Sequence, residues 1–312
     1  MTLGGGALAL LLLMFVHAGS QQQAAEARGD AFVRVHGTHF VHNGKPFFVN
    51  GFNAYWLMNL GADNAQRGKV TSALSQAAGA GLSLARTWAF NDGNRSSALQ
   101  YSPGLYHERT FQGLDFVLSE ARKHGIKMIL SLVNYYGDYG GRKQYVDWAK
   151  KQNQIIPSDD GFFNNPVVKG FYKNHIKDDP TIMAWELMNE PRCESNVTTC
   201  RTILQSWITE MAAHVKSIDG NHLLEAGLEG FYGLSPPSRS SVNPPAHDKA
   251  GTDFIANNLQ VPGIDFATVH SYPDKWLRGV DAQSQLRFQG TWLDAHIADA
   301  RAGGAAEAPA GG

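Results

Sequence analysis

Ile182-Met183-Ala184-Trp185-Glu186-Leu187-Met188-Asn189-Glu190-Pro191 is the stretch that decides the fold. Ile182, Met183, Ala184 and Trp185 form an apolar run of strand length that passes directly into Asn189-Glu190-Pro191. Proline has no N–H to give to a ladder, so Pro191 ends the strand. Glu190 is then set at the C-terminal end of a buried strand, the place where parallel barrels keep their chemistry. The competing reading is an ordinary carboxylate capping a helix start. The apolar run before Glu190 and the proline after it weigh against that reading.

Outward from this strand, apolar runs and helical patterns alternate. Upstream lie Phe47-Phe48-Val49 leading to Asn53 and Trp56, Leu82 to Ala85 leading to Arg86-Thr87-Trp88, and Ile126 to Val133. Downstream lie His222 to Ala226 and Phe266 to His270. Helices are expected between them over Asn64 to Ala80, Phe111 to His124, near Val167 to Ile176, Thr202 to Ile218, and Gln285 to Ala300. A long tyrosine-bearing loop follows Val133, and Ser235 to Pro262 reads as mostly loop. Strict alternation predicts a parallel sheet with crossover helices. No glycine-rich phosphate turn follows the first strand, which counts against a nucleotide-binding open sheet. Trp56, Trp88, Glu190 and His270 close four different strands. That distribution predicts an α/β fold of (β/α)8 TIM-barrel type, with about six βα units in this chain. Ahead of it, Phe32 to Val35 and His39 to Val41 flank a glycine turn and predict a small N-terminal β-hairpin.

The 312 residues carry a formal net charge of −1. A near-neutral balance offers no electrostatic footprint for nucleic acid or an anionic membrane surface. Ala7 to Val16 is an apolar run of signal-peptide length, with Ala18 at a cleavage-like position; it is too short to span a bilayer. The expected organisation is a signal peptide over 1–18, a lead-in over 19–31, the barrel over 32–301 and a low-complexity tail over 302–312. Cys193 and Cys200 could close a small ring just after the Asn-Glu-Pro turn, or remain free thiols. Their spacing is not that of a metal site. Asn94-Arg95-Ser96 and Asn196-Val197-Thr198 are glycosylation sequons. With the signal-like segment, they predict a secreted glycoprotein, extracellular or in the cell wall, with no membrane span in the mature chain.

Glycosidic-bond hydrolysis needs two carboxyl groups, and Glu190 suits the general acid. To protonate a leaving oxygen its pKa would have to be raised. Asn189 is placed to donate to a sugar 2-hydroxyl. Arg86, directly after an apolar strand, could orient a carboxylate nucleophile and hold it ionised. His270 and Tyr272 could bond that nucleophile or the sugar. Trp56 and Trp88, with the tyrosines after Asn134, suit stacking on sugar faces. Core packing is the competing role for each aromatic.

Together, Gly51 to Trp56, Arg86-Thr87-Trp88, Gly140 to Val146, Trp185 to Arg192, Glu225 to Gly233 and Asp265 to Asp274 resemble glycoside hydrolases of clan A. More narrowly, they resemble the plant endo-β-1,4-mannanases of family 5. The resemblance implies a retaining hydrolase of mannan, galactomannan or glucomannan that needs no metal or organic cofactor. It makes Glu190 the acid/base, and Arg86, Asn189, His270 and Tyr272 its neighbours, with Trp88 on the substrate. In the family a seventh strand brings the nucleophilic glutamate in an apolar Ala-Glu-Phe-Gly setting. Here Asp294 to Arg301 gives way to an Ala/Gly/Pro/Glu tail, and the Glu307 surroundings, Ala305-Ala306-Glu307-Ala308-Pro309, do not read as a buried strand. The nucleophile is therefore unassigned, the chain is expected to be truncated before that strand, and little or no turnover is expected. Two alternatives stand beside mannan hydrolysis: a non-catalytic mannan-binding remnant, and another β-1,4-glycan hydrolase such as a cellulase.

Overall fold

The computed structural model describes residues 31–173, 179–233, 237–245 and 251–306. The expected signal peptide, nearly all of the lead-in, and Glu307 lie outside the described residues.

Three short strands, β1 (Arg34–His36), β2 (His39–His42) and β3 (Lys45–Pro46), form an antiparallel sheet in the order β1-β2-β3. The expected hairpin thus gains a third strand through the Asn43-Gly44 turn. The main sheet contains β4 (Gly51–Asn53), β5 (Leu84–Trp88), β8 (Lys127–Ser131), β9 (Ile182–Glu186) and β10 (Leu223–Glu225). All its pairings are parallel, and its spatial order is the chain order. A two-stranded hairpin, β6 (Gln100–Ser102) with β7 (Leu105–Tyr106), stands apart from it.

The helices are α1 (Leu57–Gly61), α2 (Arg67–Gly79), α3 (Glu108–Lys123), α4 (Gly141–Lys151), α5 (Gly161–Asn164), α6 (Pro166–Tyr172), α7 (Val197–Ile218), α8 (Pro273–Trp276) and α9 (Ala282–Ala306). Their apolar faces and one face of the main sheet make the principal core, with Leu74, Leu118, Trp148 and Trp207 among its members. Truncating a buried Trp such as Trp207 costs about 3–5 kcal/mol. A smaller cluster of Val33, Ile129, Met183, Ala184 and Leu223 lies elsewhere in the sheet, with Phe40 and Phe266 against it. Phe40 meets Phe266 edge to face at 5.3 Å, so the N-terminal sheet packs on the segment after β10. All five residues of β9 are buried. β5 alternates instead, burying Ala85 and Thr87 and leaving Leu84, Arg86 and Trp88 partly open. That alternation carries Arg86 and Trp88 on the same side of the sheet.

Four expectations change. Phe266 to His270 is not a laddered strand. It runs beside the end of β10 with Asp265 N–H donating to Leu224 O at 2.9 Å and His270 N–H to Glu229 O at 3.0 Å. No ladder forms between these bonds, and just past β10 Gly227 takes a φ of +82°. The five-residue apolar signal is real, but its hydrogen bonds are mostly not those of a sheet. Second, the loop after Val133 closes into α4 and buries Tyr145 completely. Third, α7 starts earlier than expected because the Asn196 side chain accepts from Thr199 N–H and caps it. Asn196 and Asn94 are both exposed. Fourth, residues 302–306 of the expected tail continue α9. Among the described residues no helix is long and apolar enough to cross a membrane.

Candidate active site

Glu190 stands four residues past β9 with φ +54°, in the left-handed region where a non-glycine residue is strained. Its N–H donates to Gly227 O at 2.9 Å, which holds the turn against β10. Gly227 must be glycine: a Cβ there would stand 1.8 Å from Met188 O. This explains the Glu225-Ala226-Gly227 sequence and brings two strand ends close enough to share a site.

The Glu190 side chain is nearly buried. Its Oε1 lies 2.8 Å from His270 Nδ1 and accepts from the Tyr272 hydroxyl at 3.0 Å. The Tyr136 hydroxyl is a further neighbour. Burial pushes the carboxyl up, but the His270 and Tyr272 contacts outweigh it and hold Glu190 below its ordinary pKa. This reverses the sequence expectation of a raised acid. The reason is that the donors around it stabilise the carboxylate.

Arg86 also departs from its expected role. Its Nε and Nη2 fork onto the two oxygens of Glu186, each at 2.5 Å, and Nη2 donates to Asn189 Oδ1 at 2.7 Å. The carboxylate it orients is thus a fully buried residue of its own sheet. Asn189, held there by Oδ1, donates from Nδ2 to Asn134 Oδ1 at 2.9 Å. The Asn189 amide is fixed in orientation as a result, since one side faces a guanidinium and the other an acceptor.

Beside Glu190, Arg192 forks onto Glu229 at 2.5 and 2.6 Å. Burial, and then the negative charge of Glu190, raise the Glu229 carboxyl, with Arg192 opposing. Farther along the mouth, Trp88 packs at 5.0 Å from Tyr55 and 5.2 Å from Tyr139. Tyr55 is exposed, whereas Trp56 packs against the principal core. Trp56 is half-buried at the start of α1, in the core-packing position that was its competing role.

The wall behind Trp88 depends on Asp92. Its N–H donates to Tyr139 O at 2.7 Å, and Gly140, with φ +103°, lies so close that a Cβ would be 2.4 Å from Asp92 O. The carboxyl is fully buried. Burial pushes it up to about 7, opposed by the Tyr145 hydroxyl and Gln100 amide, although neither oxygen has a partner in strict hydrogen-bond geometry. A carboxyl raised in the folded state makes stability fall as pH rises from the unfolded value of about 4 towards about 7. Asp92→Asn is expected to remove that fall and to be more stable than the parent above about pH 7. Urea unfolding across this range measures it, and parallel profiles would contradict the assignment.

Cys193 and Cys200 form a disulfide with Cα atoms 5.4 Å apart, so the free-thiol alternative is removed. Asp160 lies close to both sulfurs. It is engaged instead by Arg142 at 2.6 Å and by Ser195 Oγ at 2.7 Å. Arg142 also reaches Glu194 at 2.5 Å and covers the Tyr135 ring at 4.0 Å. This knot anchors the loop that follows Glu190.

The GH family 5 beta-mannosidase-like family matches residues 30–174 and 164–286 of this sequence. The chain belongs to that family. It is 64% identical over 310 residues to mannan endo-1,4-beta-mannosidase 1 of Oryza sativa subsp. japonica, covering 95% of this chain and 71% of the rice protein. It is 58% identical over 285 residues to mannan endo-1,4-beta-mannosidase 7 of Arabidopsis thaliana, covering 86% of this chain and 65% of that one. Among solved structures, the endo-1,4-beta-mannanase of Rhizomucor miehei superposes with a TM-score of 0.73 at 31% identity, over 86% of this chain and 79% of that one. The endo-beta-1,4-mannanase of Thermotoga petrophila gives 0.72 at 30% identity, over 84% and 60%. These neighbours have the (β/α)8 barrel fold, and the five parallel strands described here are part of one.

Sequence reasoning identified Glu190, Asn189, Arg86, His270, Tyr272 and Trp88, and the structure brings them to one end of the sheet. It missed Tyr55, Asn134, Asp92, Glu186 and Glu225. For Glu186 a signal was present: a charged residue directly after Ile182-Met183-Ala184-Trp185 is rarely tolerated in a buried strand without a partner.

Proposed function

We propose that this chain is a secreted, endo-acting hydrolase of β-1,4-mannosidic bonds in mannan, galactomannan or glucomannan, with Glu190 as acid/base of a retaining reaction. The observation that carries the reading is the Glu190 carboxyl at the end of β9, held by His270 and Tyr272 beside an oriented Asn189. The activity named for the rice and Arabidopsis relatives supports it. In this reading Asn189 reads the 2-hydroxyl, Tyr55 and Trp88 stack on sugar faces, and Glu190 gives its proton to the leaving oxygen as a carboxylate nucleophile, assigned to none of the described residues, bonds to the anomeric carbon; water deprotonated by Glu190 then breaks that bond. The disulfide, the exposed sequons and the apolar start of the sequence support an oxidising, extracellular destination. No metal or cofactor enters the reaction.

A second reading, a mannan-binding protein without turnover, is favoured by one observation. Each carboxyl close to Glu190 among the described residues is already engaged: Glu229 by Arg192, Glu186 by Arg86, Glu225 by Gly227 and Thr268. None is assigned as nucleophile. Reducing-sugar release from soluble β-1,4-mannan, beside a soluble cellulose derivative, decides between the readings. Release from mannan in excess of release from cellulose would establish the hydrolase reading. Retained mannan binding without release would establish the second reading, and preference for cellulose would overturn the substrate assignment.

A further inference from the structure

Beneath Glu190 lies a pair of acids that the proposed chemistry does not use. Glu186 and Glu225 are register partners on adjacent parallel strands. Both are fully buried. Two like charges side by side in such a place cannot both persist. The hydrogen bonds decide which one is ionised. Both oxygens of Glu186 are taken by the Arg86 fork. Among the described residues Glu225 makes no ion pair; its Oε2 accepts from Gly227 N–H at 2.5 Å and from Thr268 Oγ1 at 2.9 Å.

We propose that Glu225 is held as a neutral carboxylic acid donating its proton to Glu186, and that this pair positions Arg86 and, through it, the Asn189 amide. Thr268 bonds Glu225, Glu225 stands beside Glu186 in the ladder, and from Glu186 the bonds run on to Arg86, Asn189 and Asn134. Burial, then the neighbouring Glu186 charge, push Glu225 well above the ordinary carboxyl range. Burial alone would raise Glu186 too, but the Arg86 guanidinium overrides it and holds Glu186 low. His270, on the segment after β10, also faces Glu186, and Glu190 acts on the same Arg86. A doubly ionised pair would pull Arg86 towards the second charge and off Asn189 Oδ1. A single proton prevents that. Glu225 is thus a positioning residue that acts through Glu186 and Arg86. The catalytic consequence rests on the reading of Asn189 given above; the proton and the amide geometry do not.

Glu225→Gln is the informative variant. Its amide N–H can replace the donated proton, and its carbonyl can keep the bonds from Gly227 and Thr268, but it has no proton to lose. Infrared spectra in D2O near neutral pD should show a protonated-carboxyl stretch that this variant removes. Asp92 contributes a band of its own, so the readout is the difference between parent and variant. The Asn189 side-chain amide resonances, assigned by their loss in Asn189→Asp, should stay in place in Glu225→Gln and move in Glu225→Leu. Where mannan is turned over, Glu225→Leu should lower kcat by about 10²-fold with KM little changed, and Glu225→Gln should restore it. An unchanged carboxyl band in Glu225→Gln overturns the shared proton. Unmoved Asn189 resonances in Glu225→Leu overturn the positioning role. If Glu225→Leu does not fold, Thr268→Val removes only one donor to the acid. It should shift the same band and the same amide resonances; failure of either overturns the corresponding half of the proposal.

Discussion

Where mannan is turned over as proposed, Glu190→Gln is expected to lower kcat/KM on β-1,4-mannan by about 10²–10⁴-fold, the range that a positioned acid/base contributes. The glutamine amide oxygen can still accept from Tyr272, so the site geometry and the melting temperature should change little. The loss should be smaller on an aryl mannoside whose leaving group needs no proton, because the first step then proceeds without the acid. Steady-state kinetics on both substrates, with circular dichroism to confirm the fold, make the comparison. Equal loss on both, or no loss on mannan, would take the proton-transfer role away from Glu190. The resting carboxyl lies low because His270 and Tyr272 stabilise its charge. Proton delivery in the first step therefore requires substrate to change that balance, by displacing water and covering the carboxyl.

Arg86→Met should be the most destabilising single change at the site. It leaves Glu186 without its fork in a place closed to water, and removing one partner of a buried ion pair costs about 3–5 kcal/mol. The sign of the pH dependence follows. With Arg86 present, Glu186 titrates below its unfolded value, so its contribution is present above about pH 4.5 and is lost as pH falls through the folded value. Without Arg86, burial raises Glu186, so the variant should lose stability as pH rises above about 4.5. Arg86→Met with Glu186→Met should recover much of the loss, since two well-packed apolar groups can replace a buried pair. Urea unfolding at two pH values, on the single and double variants, checks both statements. A single variant within about 1 kcal/mol of the parent would mean that water reaches Glu186.

Most of this architecture was legible in the residues. The alternation of apolar runs with helical patterns fixed the parallel sheet, but β9 stops at Glu186, five residues before the Pro191 expected to end it. The side chains that close strands were legible for the same reason: a polar residue directly after an apolar run sits at the sheet's end. Partnerships between strands were not legible. Nothing in the order of residues says that Glu225 stands beside Glu186, because that depends on register, set by hydrogen bonds between segments far apart in the chain. The direction of the Glu190 shift was missed for the same reason, since its donors come from Tyr272 and His270, about eighty positions away. The exposure of Tyr55 was not legible because it lies in the turn between β4 and α1, where neither strand nor helix periodicity says which way a ring faces. The segment after Asp265 was read as a strand from composition alone, and composition does not reveal which backbone groups find a ladder partner.

The main sheet adds its strands in the order in which the chain presents them. Each β-strand and helix pair can therefore dock on the edge left by the pair before it, without waiting for a distant segment. As the polypeptide emerges from the ribosome at about 5–20 residues per second, β4, β5 and β8 can assemble before β9 is made. Synthesis and folding can then advance together, with the active carboxylate arriving only once the platform that receives it has formed.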